Sequence, residues 1–348
     1  MLPFVLKRLG WAAVLLLVIS LVTFVIFFVL PAQPINRGQL GTEDVSIRDA
    51  YEFTGPVWHE YYQFVRGIVV DHSLGHSLST RDPITEILWR AAPVTGALVL
   101  GGLLLMLSIA VPVGILSAVR PRSLVDRASM LFVLVGISAH PAWIGLILAY
   151  FFGYRWQVLP ISGYCDFVNP STDCGGPWQW TTHMVLPWIT FSVIFAAMYA
   201  RMIRASVLEA LREDYVRTAR AKGVPERDVL RFHVMRNAIL PVITMLGLDA
   251  SGIAGLGLTG VIFVERVYGL PGLGGLMLEG LQRRDPPIVL GVVIFMSITI
   301  VLFNLVVDLI YTFLDPRIRA GQAAGIRLRR RSRPEPEPAP VAVEPARG

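Results

Sequence analysis

The sequence predicts an all-α polytopic membrane protein with six transmembrane helices, and three observations predict it. Hydrophobic residues make up 54% of the 348, and only 16% are charged, against about 25% in soluble proteins. Long runs without a charge recur along the chain. Lys and Arg collect in alternate segments between those runs. So few charges cannot cover so much apolar surface in water, which excludes a disordered chain, a nucleic-acid module and an ordinary cytosolic enzyme.

The first run, Leu9–Leu30, has 22 uncharged residues. About 20 suffice to cross the hydrocarbon core, and a signal-peptide core of about 7–15 would be shorter. Ala91–Val119, Ala128–Tyr154 and Cys174–Ala200 contain no Asp, Glu, Lys or Arg; Asn237–Val264 carries Asp249 alone; Pro286–Val307 carries none. Gly269–Gly280 is too short and glycine-rich to span, and is the segment most suited to a re-entrant path. With the N-terminus inside, the inner segments hold 22 of the 31 basic residues. The positive-inside rule then places both termini in the cytoplasm.

The organisation is residues 1–30 as a first helix, 31–90 as an extracytoplasmic loop region, 91–319 as a core with five spans, and 320–348 as a disordered cytoplasmic tail. The first loop holds an amphipathic helix around Pro56–Val70, with Trp58, Tyr61, Tyr62, Phe64 and Val65 among polar residues. In Asp71–Asp82 (DHSLGHSLSTRD), His72 and His76 are four apart. Gly75 and the serines argue for a turn rather than a metal site, so no metal is expected. The tail's IRLRRRSR cluster suits anionic headgroups, and its Pro- and Glu-rich end cannot pack a core.

Cys165 and Cys174 fall in the outer loop between spans three and four, where Pro170, Gly175 and Gly176 allow a turn. A disulfide is expected in an oxidising compartment, with two free thiols as the alternative. Catalytic machinery is missing: no GxxxxGK[ST], no HExxH and no GxSxG occurs. His140, beside Pro141, suits a helix-packing hydrogen bond better than a proton relay. In span five, Gly247, Ser251, Gly255 and Thr259 recur every four residues beside Asp249. That face suits close helix packing or a path through the membrane.

The largest cytoplasmic loop, 201–240, holds nine basic and five acidic residues. Span four is expected to continue as helix through Lys222. Gly223 then suits the left-handed residue that ends it, and Pro225 the first position of the next helix, with Glu226 and Asp228 in its first turn. A helix–Gly–helix elbow of this kind offers a docking surface; a solvated connector is the alternative.

At this loop the chain resembles a family. Arg212–Gly223 (REDYVRTARAKG) and Arg231–Thr244 (RFHVMRNAILPVIT) are similar to the cytoplasmic loop of dipeptide/oligopeptide ABC importer permeases, B-type subunit. Val264–Leu276 (VERVYGLPGLGGL) resembles that family's outer-loop signature, Asn304–Arg319 (NLVVDLIYTFLDPRIR) its sixth-span exit, and Asp71–Pro83 its first-loop element. The resemblance covers residues 1 to 319. Against the general importer loop pattern, Glu-Ala-Ala-x-x-x-Gly and a later Ile-x-Leu-Pro, only Ala219 and Gly223 match, and Pro241 falls late.

The resemblance implies the type I ABC importer permease fold in a bacterial inner membrane. It implies a C-type permease partner, two ATP-binding subunits, an extracytoplasmic substrate-binding protein and surrounding membrane lipid, with no nucleic acid. It implies no cofactor in this chain, ATP and Mg being bound by the ATPase partners, and no enzymatic activity of its own. Asp214, Tyr215, Ala219, Gly223 and Pro225 are its expected coupling residues. Gly247, Asp249, Ser251, Gly255 and Thr259 are the expected translocation path, and Glu265, Pro271 and Gly272 an extracytoplasmic gate. A nickel or glutathione importer shares the B-type pattern. A stand-alone secondary transporter would show inverted repeats and several buried charges, and an intramembrane hydrolase would need a side-chain pair the spans do not offer.

Overall fold

The computed structural model describes residues 2–29, 56–167 and 174–314; the side chains of 2–7, 125, 240, 244, 247–259 and 307–314 fall outside that description. Among the described residues the chain is helical, and extended pairing is limited to the isolated bridges His76–Pro83 and Asp166–Gly175. Helix α1 (Leu2–Phe24) continues as a π-helical stretch, Val25–Val29. The first-loop helix is α2 (Val57–Val69). Its Phe64 is buried against Phe24 and Phe28, and Tyr61 shares a hydrogen bond of 3.0 Å with Ser20. Of the aromatic residues read from the sequence, Tyr61 and Phe64 thus lie on the end of α1, while Trp58 and Tyr62 are exposed.

The next helix, α3 (Ile84–Val119), is 36 residues long. The expected third span is instead two helices, α4 (Leu124–Ser138) and α5 (Pro141–Leu148), bent by 111°. Pro141 disfavours helical geometry at the residue before it. His140 turns extended, and its Nδ1 accepts the Ala142 amide at 3.3 Å. A π-helical stretch, Ala149–Arg155, prolongs α5. Helix α6 (Pro177–Leu211) is followed by α7 (Asp214–Ala221), a short turn α8 (Glu226–Asp228), a π-helical stretch Val229–Val234, and α9 (Met235–Tyr268). Last come α10 (Leu273–Gln282) and α11 (Pro286–Leu314). Helices α9 and α10 meet at 82°. Among the described residues four helices are long and apolar enough to cross a membrane, or six spans if each bent pair counts as one.

Helix α6 is the central element, packed on α3, α4 and α9. In lipid, helices associate by close packing rather than by the hydrophobic effect. Trp188 and Phe191 of α6 accordingly cover Gly101 and Gly102 of α3, and the Trp188 indole donates to the Ala97 carbonyl at 2.9 Å. One buried cluster joins α1, α2, the N-terminal end of α3, α10 and α11. A second joins the C-terminal ends of α3 and α6 and the start of α9 to α7. A third lies between them, against α5.

Candidate functional site

Two places gather the residues that the sequence singles out. The first is the elbow between α6 and α9. Helix α6 does not run through Lys222 as expected. It ends at Leu211, Glu213 turns extended (ψ 147°), and α7 starts anew at Asp214. Val216 and Ala219 of α7 are buried with Val207 and Ala210 of α6 and with Val229 and Val234. Tyr215 is half-buried, while the side chains of Asp214 and Arg217 are 96% and 74% exposed. An apolar side thus seats α7 on α6 and a charged side faces outward. Gly223 has φ +77° with no atom near its missing Cβ, so it is the backbone conformation and not crowding that favours glycine there. Pro225 is the residue before the next helical turn, one position earlier than expected, because its ψ of 141° is still extended. Arg220 closes the elbow on Glu226 with two hydrogen bonds, 2.5 and 3.0 Å. That pairing holds the Glu226 carboxyl below its ordinary range and raises Arg220.

Behind the elbow lies a network the sequence reading missed. Arg204 of α6 donates to both oxygens of Asp126 on α4, at 2.8 and 3.1 Å, and Ser117 of α3 donates to Asp126 at 2.5 Å. Asp126 is buried, and the Arg122 amide also donates to it at 2.9 Å. Three helices therefore meet in one ion pair. Nothing in periodicity or spacing marks it, because its members lie 9 to 87 residues apart.

The second place is the corner where α9 meets α10. Glu265 is fully buried. Its backbone carbonyl accepts the Leu270 amide at 2.9 Å, which closes the left-handed turn at Gly269. Its carboxyl accepts the Thr95 hydroxyl at 2.6 Å and the Gly275 amide at 2.9 Å. The Thr95 oxygen in turn accepts the Leu273 amide at 2.8 Å. The first turn of α10, with orphan amides like any helix start, is thus satisfied by α9 and α3. A Cβ at Gly272 would overlap the Glu265 carboxyl, so any larger residue displaces it. Pro271 is exposed beside it. Glu265, Pro271 and Gly272 are brought together, with Thr95 as an unforeseen fourth member.

At the other end of α10, Asp285 is buried. Its Oδ2 accepts Ser77 Oγ at 2.6 Å, Ser79 Oγ at 2.8 Å and the Ser79 amide at 2.9 Å. Burial pushes this carboxyl up, and the donated hydrogen bonds outweigh it, leaving it below its usual value. The DHSLGHSLSTRD segment is the turn expected, and its serines serve Asp285. Among the described residues no cluster of three His, Cys, Asp or Glu side chains could hold a metal ion.

Nearby, Cys165 and Cys174 are joined as a disulfide with Cα atoms 5.3 Å apart. Gly163, in the same loop, donates to the Tyr268 carbonyl at 2.9 Å. The Tyr268 hydroxyl lies 2.8 Å from Thr190 Oγ1 and donates to the Gly145 carbonyl at 3.1 Å. The expected path residues Gly247, Asp249, Ser251, Gly255 and Thr259 belong to α9, but their side chains lie outside the described residues.

Comparison with known proteins places the chain in a family. Residues 110–320 match the model of the binding-protein-dependent transport system inner membrane component, and residues 1–99 match that of its N-terminal region. The dipeptide transport system permease protein DppB of Escherichia coli strain K12 is 34% identical, over 92% of this chain and 99% of that protein. The probable D,D-dipeptide transport system permease protein DdpB of the same strain is 33% identical, over 91% and 98%. The di/tripeptide transport system permease protein DppB of Pseudomonas aeruginosa strain UCBPP-PA14 is 32% identical, over 92% and 99%. The chain belongs to the binding-protein-dependent transport system inner membrane component family.

Proposed function

We propose that this chain is one of two different permease subunits in an ATP-driven importer of di- or oligopeptides. Peptide substrates are supported by relatives of matching length whose names carry dipeptide or di/tripeptide transport. In this reading a C-type permease completes the pore, and two ATPase subunits bind ATP and Mg beneath it. An extracytoplasmic binding protein delivers substrate. Both termini lie in the cytoplasm, as the Lys and Arg distribution supports.

The observation that carries the reading is the elbow. Helix α7 presents a charged, exposed side outward while Val216 and Ala219 hold it to the end of α6. A partner pressing on Asp214, Tyr215, Gly223 or Pro225 would move α6. Through Arg204 and Asp126 it would also move α3 and α4. That is the lever an ATPase needs in order to drive alternating access. Gly247, Asp249, Ser251, Gly255 and Thr259 line the path, and Glu265, Pro271 and Gly272 close it on the outer side.

The test is purification from native membranes in mild detergent, followed by uptake of labelled dipeptide in proteoliposomes. Copurifying ATPases, a second permease and uptake that requires internal ATP support the reading. Uptake by the isolated chain without ATP overturns it in favour of a secondary carrier.

A further inference from the structure

Helix α10 is short, about 15 Å at 1.5 Å per residue, and a buried carboxylate fastens each end of it. At its start, Glu265 takes the Gly275 amide and the Thr95 hydroxyl, and Thr95 takes the Leu273 amide. At its finish, the Asp285 amide donates to the Gly280 carbonyl at 2.8 Å while the Asp285 carboxylate holds Ser77 and Ser79. Both fastenings lead to α3. Thr95 belongs to it. The serine turn runs straight into it and is itself tied down: Ser77 donates its amide to the Asp82 carbonyl, Arg81 donates to the Ser77 carbonyl, and Ile84 donates to the Gly75 carbonyl, each at 3.0 Å.

A single attachment would let a short helix pivot; two at opposite ends fix its orientation. Between them the contact is apolar. Ile84 and Leu88 of α3, Leu273 of α10 and Ile288 of α11 share one buried cluster, and Ile84 lies against Gly291. Opening this contact would uncover two buried carboxyls at once, each with its donors. A buried polar group that loses its partner costs far more than the bond contributes on average. The surroundings therefore favour keeping the contact shut while other helices move.

We propose that the serine turn, the outer end of α3, α10 and the start of α11 move as one rigid gate body during transport, with Asp285 as the positioning residue for its outer attachment. This deepens the gate reading of Glu265, Pro271 and Gly272 and rests on it. Asp285 touches no substrate in this scheme. It acts by fixing α10, and hence the corner at Gly272.

The test uses the whole transporter in proteoliposomes. A cavity of about 180 Å³ lies between the serine turn and α10, lined by Thr80 on one wall and Arg283 on the other. Thr80→Cys and Arg283→Cys leave both carboxylates in place and can be bridged by a short bifunctional thiol reagent. A rigid body tolerates the bridge, so ATP-driven dipeptide uptake should stay within about twofold of the unbridged rate. Loss of roughly tenfold or more on bridging, reversed by reductant, would show that the two walls separate in the cycle, and would overturn the proposal.

Asp285→Asn in the same background should lower the peptide taken up per ATP hydrolysed severalfold, and the covalent bridge should restore it. A merely structural role would not give that rescue. An unchanged ratio, or no rescue, removes Asp285 from the positioning role. If Asp285→Asn fails to assemble, the bridging result with Asp285 intact still decides. Absence of ATP-driven uptake before any reagent is added would sink the importer reading and this proposal with it.

Discussion

Thr95→Val isolates the inner fastening of α10. The two side chains are nearly the same shape, so the change leaves no cavity and removes only the hydroxyl. That hydroxyl does two things: it donates to Glu265 at 2.6 Å and accepts the Leu273 amide at 2.8 Å. All three groups lie in buried surroundings. A buried polar group deprived of its partner costs about 1–3 kcal/mol. Two such losses give about 2–6 kcal/mol, less whatever a water can recover. At roughly 2 °C per kcal/mol in a large domain, the Tm of the detergent-purified protein should fall by about 4–12 °C. Thr95→Ser keeps the hydroxyl and loses one methyl, about 0.8 kcal/mol, so it should stay close to wild type. A Thr95→Val protein that melts with wild type and transports normally would refute the idea that this hydroxyl holds α10 to α3.

Gly223→Asn should keep most ATP-driven uptake and Gly223→Val should lose it. The position needs φ +77° and has free space, and only the β-branched side chain resists that backbone; equal uptake by both variants would contradict this. Arg204→Met should destabilise by about 3–5 kcal/mol, because it strands the buried Asp126 carboxylate; adding Asp126→Asn should recover part of the lost Tm, and no recovery would mean the pair is not the cause. The Asp285 carboxyl sits below its ordinary 3.8 in the folded protein, so its contribution is present above that value and lost as pH falls through the lower one. The Tm gap between wild type and Asp285→Asn should therefore be flat above about pH 5 and narrow only below pH 4; a gap that closes between pH 6 and 8 would point to another group. Maleimide labelling of Cys165 and Cys174 on intact cells should require prior reduction; labelling without reductant would show free thiols.

The spans were legible because hydropathy is a property of one stretch of chain at a time. So was the turn at Gly223, a left-handed conformation that few other residues adopt. The α9–α10 corner read only as a glycine-rich segment too short to span, and its left-handed turn at Gly269 was not singled out. The bend at His140 was half legible. Pro141 announces it, but a run with no charge on either side of the proline reads as a single span. The break at Glu213 had no signal beyond Asp214, a residue that starts helices well. Least legible were the polar ties. Thr95 is one of many threonines in apolar helices, and its partner lies 170 residues away. Asp285, in the sequence Arg-Arg-Asp-Pro, reads as a surface charge, and only the fold sets it on two serines more than 200 residues earlier.

The two polar sites are joined by a single helix. Thr95 and Ser117 both lie on α3, 22 residues apart, which is about 33 Å at 1.5 Å per residue and close to the thickness of a bilayer's hydrocarbon core. The N-terminal part of α3 carries α10 through Thr95; its C-terminal end meets Arg204 and Asp126 through Ser117, next to the elbow. In the proposed lever, a force on α7 would reach the α9–α10 corner along one element rather than through a chain of side chains. Between the two anchors α3 has one proline, Pro112, which cannot donate to the Ser108 carbonyl. The N-terminal part of the helix lies under Trp188 and Phe191 of α6 and is tied to α10. The C-terminal part is tied to α4 and α6. In the proposed cycle, relative motion between the gate body and the ATPase-driven elbow would find its weakest point in the hydrogen-bond ladder at that missing donor. On that reading coupling depends on where α3 yields, and the polar ties at its two ends decide which residues are carried to either side of that point.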